Sequence, residues 1–574
     1  MFNRFGSKGS TWEEKNITTE RKSLISVNKN KSGEEIIGNI FKNGMDTTTN
    51  DQIIQYKSMV LRVGFDQSKH GFLNSCSDVL NDNYLTKKEF DEDSYKPVPF
   101  YPSNPYDNTA HKCNVVLKPD ATGSFVMICK NGDIIEDNSI VEFSFDTNET
   151  EPSYRWKPLR VRYDKTSELK AGQKNYGNAY HAANGNWHSI HMPITADMLA
   201  TGQNIPEDIV DDVYYNRKTT KSYTKNLRFF HNIGVKNRLI NSVSKRGNTL
   251  IDFTVGKAGD LSKWTNANIG FVLGLDLSRD NIENNHDGAC TRYLKAKQSN
   301  RSTPYALFVN GDSSLNIRSG LALFTEKNKE IVKSIFGDIP LNERFGPAVS
   351  RQYGVATNGF DVGSCQFGLH YFFQNNDILQ AFVRNLSECI KEGGYFIGTC
   401  YDGNKVFNQL KDKKRGEGVS IYENEQKIWE ISKDYDHASF NGDETSVGYP
   451  INVFQETINK TFKEYLVNLD YFTRVMENYG FKPITDTEAV ELDIPSSLGN
   501  FEKLYKKTFN MTPNERQISF LNTYFIFKKI RSVDAEKVKL QNTDSSASEI
   551  ETNINETLLL RKKTVKKKQT LNIV

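Results

Sequence analysis

A glycine-containing turn with an acidic residue further along the chain is the first feature of the sequence that could do chemistry. The apolar run 250–255 ends at the turn Gly-Lys-Ala-Gly at 256–259, and a second apolar run, 269–275, ends at Asp276. An acidic residue about 20 positions after such a turn usually binds the ribose hydroxyls in a nucleoside-binding βαβ unit. The pattern therefore indicates a nucleoside site, although a tight connection between a strand and a helix would give the same pattern.

Polar residues also follow later apolar runs, and parallel strands would bring them to the same edge of a sheet. The runs that predict further strands are 305–309, 359–367 and 395–399, with a helical period over 378–390. Asp312 follows the first of these runs, and Gln366 and His370 lie at the end of the second. Strands that alternate with helices predict an α/β fold with an open, mostly parallel sheet and ligands at its carboxyl edge.

Length, charge and cysteine content narrow the class of protein. The 574 residues are enough for two or more domains with buried cores. The formal net charge of +3 excludes a globally basic field, so contact with nucleic acid must use a local surface. The 7 cysteines have no C-x-x-C spacing, which predicts buried, reduced thiols in an intracellular protein. No run approaches the ~20 apolar residues that span a bilayer and no signal-peptide core is present, so we expect a soluble protein that is not secreted.

Changes in composition along the chain predict its domain organisation. The ends are polar and lack sustained periodicity, whereas the region before the α/β domain has short β-rich runs broken by Asp, Gly and Asn turns. The predicted segments are a disordered arm at 1–50, an unassigned stretch at 51–96, a small β-barrel at 97–196, a linker at 197–224, the α/β domain at 225–532 and a polar, basic, disordered tail at 533–574.

One stretch of the β-rich segment could bind phosphate. Polar and apolar residues alternate over 156–166, which places Arg160 and Arg162 on one face of a predicted strand with Asp164 close behind. Two guanidinium groups offer forked donors for phosphate oxygens, and Lys165 adds a point charge. These residues fit a phosphate or RNA contact and a solvated edge strand with a salt bridge equally well.

The motifs of the α/β domain resemble those of a known family. GKAGDLSKW at the turn, GDSS at 311–314, FDVGSCQFGLHYFF and EGGYFIGTCYDG occur in the order seen in messenger-RNA cap (guanine-N7) methyltransferases, and they are most similar to those inside the large capping enzymes of big DNA viruses. The resemblance covers about residues 225–530. It implies a Rossmann-like, class I methyltransferase domain with S-adenosylmethionine as cofactor.

The β-rich segment resembles another part of the capping enzymes. The pattern W-x-x-x-R-x-R-x-D-K from Trp156 to Lys165 is similar to a motif in the oligonucleotide-binding (OB) barrel of RNA capping guanylyltransferases, where it contacts the phosphates of GTP. The sequence contains no K-x-D-G, the motif whose lysine accepts the guanylate in that family. The resemblance therefore implies an OB-like barrel without guanylyltransferase activity.

The methyltransferase resemblance implies binding residues and no catalytic base. Guanine N7 has a lone pair and no proton, so the reaction needs positioning but no general base, and no metal is implied. The implied cofactor contacts are Lys236, Thr254, Gly256, Asp276, Asp312, Gln366 and Tyr371. The implied cap contacts are Asn232, Lys257, Lys263, Arg292, His370, Glu456 and Tyr524.

Several of these residues have a role that chemistry alone suggests. Glu456 could accept hydrogen bonds from guanine N1–H and its amino group, and Tyr524 and His370 could close over the base. A place in the hydrophobic core is the alternative for Tyr524, and a helix N-cap is the alternative for Asp312. Thr254 departs from the family, which usually has glycine at this position.

The sequence thus predicts transfer of a methyl group from S-adenosylmethionine to N7 of the guanine cap of mRNA. The alternatives are a non-catalytic cap- or RNA-binding subunit of a capping complex and a methyltransferase for another RNA position. Capped mRNA is the predicted partner, a separate guanylyltransferase or triphosphatase chain or a stimulatory subunit is a further candidate, and no membrane is involved. The viral resemblance implies the host cytoplasm, in a viral factory, or the virion.

Overall fold

The computed structural model describes residues 53–84, 95–102, 107, 109–191, 193, 222–456, 458 and 460–542, together with the strands Phe2–Arg4, Ser26–Lys29 and Ile36–Phe41. The chain forms two compact units. The first comprises Met1–Leu73 and Lys88–Ile209, and the second comprises Asn74–Lys87 and Val210–Val574. No helix in the described ranges is long and apolar enough to cross a membrane.

The first unit is rich in β-strands. Its strands, β1 to β10, are Phe2–Arg4, Ser26–Lys29, Ile36–Phe41, Ile53–Val60, Arg62–Phe65, Lys96–Pro99, Lys112–Pro119, Phe125–Met127, Ile140–Phe145 and Trp156–Val161. Its helices are Gln67–His70, Tyr163–Lys170 and Tyr180–His191. The strands form two sheets, in the orders β10-β9-β1-β5-β6 and β2-β3-β4-β7-β8. Because Leu61 alone separates β4 from β5, the chain passes directly from one sheet to the other.

One hydrophobic core joins the two sheets of this unit. Cys113 and Val115, which alternate along β7, are buried in the same cluster as Phe143 of β9 and Trp156 of β10. The Trp156 indole donates a 2.8 Å hydrogen bond to the carbonyl oxygen of Ala110. The β-rich character predicted for this region is confirmed, and closure into an OB-like barrel stays a prediction. Strands β1 to β3 lie within the arm at 1–50 that was predicted to be disordered, so that prediction is wrong at these three strands.

The two arginines of the predicted phosphate-binding strand do not share a face. Strand β10 ends before Arg162, because the chain turns there into the helix Tyr163–Lys170. Arg160 pairs with Glu142 of the neighbouring strand at 2.6 Å, and Arg162 pairs with Asp164 at 2.7 Å. The predicted alternation is therefore wrong beyond β10, and salt bridges occupy both arginines. Phosphate contact by this stretch stays a prediction.

The second unit contains an α/β sheet and a smaller antiparallel sheet. Its strands, β11 to β22, are Thr249–Asp252, Phe271–Asp276, Tyr305–Asn310, Phe360–Gln366, Ile390–Tyr401, Gly418–Glu423, Gln426–Lys433, Pro450–Gln455, Lys460–Tyr465, Phe481–Pro483, Leu498–Asn500 and Asn522–Lys529. Its α-helices are Ser75–Leu80, Lys225–Phe229, Arg238–Val243, Leu261–Asn266, Arg279–Glu283, Ala289–Ser299, Glu326–Phe336, Pro347–Arg351, Asn376–Cys389, Gly403–Gln409, Leu469–Asn478, Asp486–Glu491, Pro513–Ser519 and Ala535–Asn542. A π-helical segment, Phe230–Asn237, links two of these helices.

The main sheet has the predicted open and mostly parallel arrangement. Its order is β13-β12-β11-β14-β15-β22-β20, with β21 paired to β22. The strands from β13 to β15 are parallel, and β22 runs antiparallel to β15. The strand order reverses between β11 and β14, and ligands bind at such a switch point in open α/β sheets. The Rossmann-like fold predicted for this domain is confirmed.

The strand registers align the polar ends that the sequence suggested. Asp252 pairs with Ser364 and Asp276 with Asn310, while Gln366 pairs with Thr399. These residues are the last or nearly the last of their strands, so they share the carboxyl edge of the sheet. The smaller sheet, in the order β16-β17-β18-β19, includes the hairpin of β18 and β19.

Two short helices correct the predicted boundaries of the α/β domain. The helix Ser75–Leu80 lies in the stretch left unassigned, yet it packs in the second unit, where Asp82 forms an ion pair with Arg351. The helix Ala535–Asn542 lies in the predicted tail, and its Glu536 pairs with Arg384 at 2.9 Å. Both helices are held by contacts with residues that lie far away in the chain. Local composition therefore did not predict them.

Candidate active site

The glycine turn and the acidic residue that the sequence singled out are joined by a hydrogen bond. Gly256 has a φ of 53°, a left-handed conformation that glycine adopts at little cost. Its N–H donates to Asp276 Oδ2 at 2.7 Å. The other oxygen of Asp276 accepts from the Ser278 N–H and the Asn281 side-chain amide, each at 2.9 Å. The predicted nucleoside-binding turn and its carboxylate are therefore brought together and fixed.

A buried ion cluster lies directly after the turn. Asp260 Oδ1 is 2.7 Å from Lys236 Nζ and 2.8 Å from Lys263 Nζ. Burial alone would raise the pKa of Asp260, but the two ammonium groups lower it to about 2. Lys263, predicted to reach the cap triphosphate, is buried and holds Asp260, so its contact with the cap stays a prediction. Asp260 was not predicted, although its place directly after the glycine turn is a signal that could have identified it.

A second buried acid, also missed from the sequence, ends strand β11. Burial and the neighbouring charge of Asp260 raise the pKa of Asp252 to about 8. Its Oδ1 accepts from the N–H of Thr254 at 3.1 Å. The Thr254 side chain lies against Gly368, where an added Cβ would come within 2.6 Å of the threonine hydroxyl. The glycine at 368 thus provides the space that the threonine needs.

The ends of strands β13 and β14 make local hydrogen bonds. Asp312 accepts from the N–H and the hydroxyl of Ser314 at 2.8 and 2.7 Å, so its carboxylate closes a turn and caps no helix. Gln366 accepts from the Thr399 hydroxyl at 3.2 Å. Both residues lie at the carboxyl edge, as predicted.

Lys257 and Arg292, two predicted cap contacts, lie next to each other. Arg292 donates a 2.9 Å hydrogen bond to the carbonyl oxygen of Lys257. The Lys257 ammonium lies 2.8 Å from Asp287 and 3.0 Å from Asp280. The structure therefore forms a local charged group beside the glycine turn, in which two carboxylates accompany the lysine.

His370 lies beside a carboxylate that the sequence analysis did not select. It belongs to the turn Leu369–Phe373, and Glu464 belongs to β19. His370 Nδ1 and Glu464 Oε2 are 3.7 Å apart, which is too long for a hydrogen bond. Burial lowers the pKa of His370 to about 3 and raises the pKa of Glu464 to about 8. Because of these pKa values, both groups are neutral near pH 7. Within the described ranges His370 Nε2 and Glu464 Oε2 are also buried without a hydrogen-bond partner.

Aromatic side chains lie around this pair. The ring centroid of Tyr371 is 4.1 Å from that of His370, and Tyr371 is 36% exposed, which leaves one side open to solvent. Trp429 donates a 3.0 Å hydrogen bond to the Tyr401 hydroxyl, and both rings are buried. Burial and the charge of Glu464 raise the pKa of Tyr401. We call His370, Glu464, Tyr401 and Tyr371 the base pocket.

Glu456 does not belong to this pocket. Its Oε1 accepts from the Ser222 hydroxyl at 2.8 Å, the Thr224 N–H at 2.9 Å and the Thr224 hydroxyl at 2.8 Å. It thereby fixes the residues that precede the helix Lys225–Phe229. These contacts do not support base recognition by Glu456, and the carboxylate beside His370 belongs to Glu464. The β18–β19 hairpin, which the sequence analysis did not predict, brings the later glutamate to His370.

Tyr524 and Asn232 make other contacts. Tyr524 is fully buried inside β22, two residues from the strand end, where it pairs with Thr399 of β15, and its ring packs so closely on Gly499 that a Cβ added to that glycine would lie 2.5 Å from the tyrosine Cζ. This burial fits the core alternative for Tyr524, and its contact with the cap stays a prediction. Asn232 donates a 2.8 Å hydrogen bond to the carbonyl oxygen of Arg228.

The residues at the edge fit S-adenosylmethionine. This cofactor has ribose hydroxyls and a zwitterionic amino acid, so its site needs an acceptor and charges of both signs. Asp276 is the acceptor next to the glycine turn, and Lys236 and Asp260 supply the two charges. The described ranges contain no cluster of His, Cys, Asp and Glu that could hold a metal ion.

A doubly wound sheet with a glycine turn joined to an acid defines a Rossmann-like nucleoside-binding domain. The model of the mRNA (guanine-N(7))-methyltransferase domain family matches residues 203–552, which is more than half of the 574 residues. The chain belongs to this family.

Individual relatives agree with this membership. A probable mRNA-capping enzyme of Acanthamoeba polyphaga mimivirus is 29% identical in an alignment of length 402 that covers 66% of this chain and 32% of that enzyme. An mRNA cap guanine-N(7) methyltransferase of Candida glabrata is 24% identical in an alignment of length 355 that covers 59% of this chain and 76% of the relative. The match to the mimivirus enzyme thus spans only about a third of that enzyme's length. A solved structure of a putative S-adenosylmethionine-dependent methyltransferase from Listeria monocytogenes covers 52% of this chain and 99% of its own, with 12% identity and a TM-score of 0.29.

Proposed function

We propose that this protein transfers a methyl group from S-adenosylmethionine to N7 of the guanine in a capped mRNA. The observation that supports this most directly is the buried pair of Glu464 and His370. A buried acceptor without a donor costs free energy, and such groups concentrate at ligand sites. The donor that compensates for this cost comes from the substrate.

The base pocket matches the hydrogen-bonding edge of guanine. Guanine presents two neighbouring donors, N1–H and the N2 amino group, whereas adenine presents an acceptor at N1. An ionised carboxylate only accepts, so Glu464 pairs with guanine and leaves adenine without a matching partner. Guanine binding supplies the donors that favour the ionised form of Glu464. Tyr371 lies at the open side of the pocket, where it can stack on the purine ring.

This chain's residues position the reacting groups and move no proton. Guanine N7 attacks through its lone pair, so neutral His370 is not required as a base. When bound, S-adenosylmethionine supplies a methyl group activated by its sulfonium charge. Asp276 binds the ribose, Lys236 and Asp260 hold the amino-acid end, and Gln366, the last residue of β14, contacts the methionine part. Lys257 and Arg292 lie beside the glycine turn and are the proposed contacts of the triphosphate bridge.

The partners and the location follow from this proposal. Capped mRNA is the substrate, and a guanylyltransferase or triphosphatase polypeptide or a stimulatory subunit is a candidate partner. The mimivirus relative supports action where viral transcripts are made, in a cytoplasmic factory or the virion.

The test is a methylation assay with purified protein, labelled S-adenosylmethionine and GpppG-capped RNA. Wild-type protein should label the cap at guanine N7, and Glu464→Gln should lower kcat/KM by about 10²-fold, because the amide opposes donors with a donor. Binding of S-adenosylhomocysteine should be unchanged in this variant. Glu456→Gln is the matched control. A folded wild-type protein that binds S-adenosylhomocysteine but labels no capped RNA would contradict the proposal and favour a non-catalytic cap-binding subunit.

A further inference from the structure

A polar groove lies beside the charged group of Lys257 and Arg292. It has a volume of about 500 Å³ and runs between the helices Leu261–Asn266 and Ala289–Ser299. Arg292 and Lys295 are its charged lining residues. The other lining side chains that can donate hydrogen bonds are Ser262, Thr265, Asn266, Ser299, Asn300 and Thr303. None of the residues that line the groove is acidic or aromatic.

The groove is continuous with the proposed cap site. Arg292 lines it and also donates to the carbonyl oxygen of Lys257, inside the glycine turn. Gly259, at the other end of that turn, also lines the groove, and an added Cβ there would meet no atom within 4 Å. The groove is therefore open at Gly259, where it meets the glycine turn.

The chemistry of the lining selects one class of ligand. Cations together with hydroxyl and amide donors suit phosphate and ribose oxygens, which accept hydrogen bonds. The absence of aromatic rings among the lining residues excludes base stacking as the main contact, and it equally removes the anchors typical of protein interfaces. We propose that this groove binds the sugar–phosphate backbone of the first nucleotides after the cap, independently of their sequence.

This inference rests on the proposed function, because it needs a capped RNA at the base pocket. The test compares two substrates, the free dinucleotide GpppG and a GpppG-capped RNA of about ten nucleotides. The variant is Ser262→Asp combined with Lys295→Glu, two exposed positions outside the base pocket and the cofactor site. An aspartate at 262 lies in the first turn of its helix, where a negative charge is favourable, so the fold should be retained.

We expect the double variant to raise KM for the capped RNA about 10-fold and to change KM for GpppG by less than twofold. Lys295→Glu alone should also reduce the slope of log KM against log salt concentration by about 1 for the RNA. Lys327→Glu, an exposed lysine on the helix Glu326–Phe336, is the control with the same charge change.

Equal effects on both substrates would overturn the inference. No effect on the RNA would also overturn it, and would favour an acidic protein segment as the occupant of the groove. If wild-type protein methylates neither substrate, the proposed function fails. If it methylates both and the variant matches it, only the groove assignment fails.

Discussion

Two buried carboxylates in the second unit show opposite electrostatics. Asp260 lies within 2.8 Å of two lysine ammonium groups, which lower its pKa to about 2. Glu464 has His370 beside it at 3.7 Å, and burial raises its pKa to about 8. Both side chains are almost fully buried, so burial alone does not explain the difference. The difference comes from whether the protein itself supplies the partner.

This contrast separates a carboxylate that stabilises the fold from one that is available to a ligand. Asp260 is ion-paired with Lys236 and Lys263, so it can position the cofactor side of the site before any ligand binds. Glu464 has no cation close enough to pair with it and no hydrogen bond on Oε2 within the described ranges, and in the proposed function guanine supplies the donors. A protein that retains such an unpaired acceptor in its interior gives up stability for recognition.

The largest expected effect follows from the loss of the Asp260 charge. Asp260→Asn leaves Lys236 and Lys263 buried without a counter-ion, and breaking a buried pair in this way costs about 3–5 kcal/mol. Urea unfolding at pH 7 should show a decrease of that size in the free energy of unfolding. Asp338→Asn, which breaks the half-exposed pair with Arg318, should cost less than about 1 kcal/mol. Similar losses in the two variants would show that the cluster is not a special stabilising feature.

Glu464→Gln should raise the free energy of unfolding relative to wild type as the pH rises, whereas Asp260→Asn should lower it. The pKa of Glu464 rises from 4.5 to about 8 on folding, so the native state holds its proton more tightly. The stability that this group contributes is complete below about pH 4.5 and is lost as the pH rises toward 8, by up to about 1.4 kcal/mol per pH unit. Glutamine does not titrate. The variant should therefore become more stable relative to wild type as the pH increases from 6 to 8, measured by urea unfolding at each pH.

The neighbours of Glu464 do not obscure this measurement. In the folded protein His370 has a pKa of about 3 and the pKa of Tyr401 is raised, so neither titrates between pH 6 and 8. The unfolded His370 titrates near pH 6.5 in both proteins, so its contribution cancels in the difference. Asp252, with a pKa of about 8, does titrate there, but it is present in both proteins and cancels in the difference. A difference that stays constant from pH 6 to 8 would mean that Glu464 is already ionised and paired in the free protein.

The sequence predicted the parts of the site that lie on consecutive elements. The turn at Gly256, Asp276 and the strand ends at Asp312 and Gln366 follow from the alternation of strands and helices, which is local information. The resemblance added Lys236, whose partner Asp260 the sequence analysis missed. Nothing local showed that Lys263 turns inward, because that depends on the packing of its helix beside Asp260.

The base pocket depends on pairing that the sequence pattern did not show. His370 was predicted, but its carboxylate partner depends on the register of β18 and β19, in which Ile451 pairs with Glu464. Glu456 was implied by the resemblance alone, and no local pattern showed that β18 and β19 form a hairpin. The helix Ser75–Leu80 was missed for a similar reason, since its contacts lie more than 200 residues away in the chain, as at Arg351.

The smallest expected effect tests the assignment of base recognition to Glu464 rather than to Glu456. Glu456→Gln keeps one carbonyl oxygen, which can still accept from Thr224 and Ser222, so the free energy of unfolding should fall by less than about 1 kcal/mol. The kcat/KM for capped RNA should stay within twofold of wild type, because Glu456 lies outside the base pocket. The identical substitution at Glu464 should lower kcat/KM by about 10²-fold. Steady-state methylation of capped RNA by both variants provides the comparison, and a loss in Glu456→Gln as large as that in Glu464→Gln would return base recognition to Glu456.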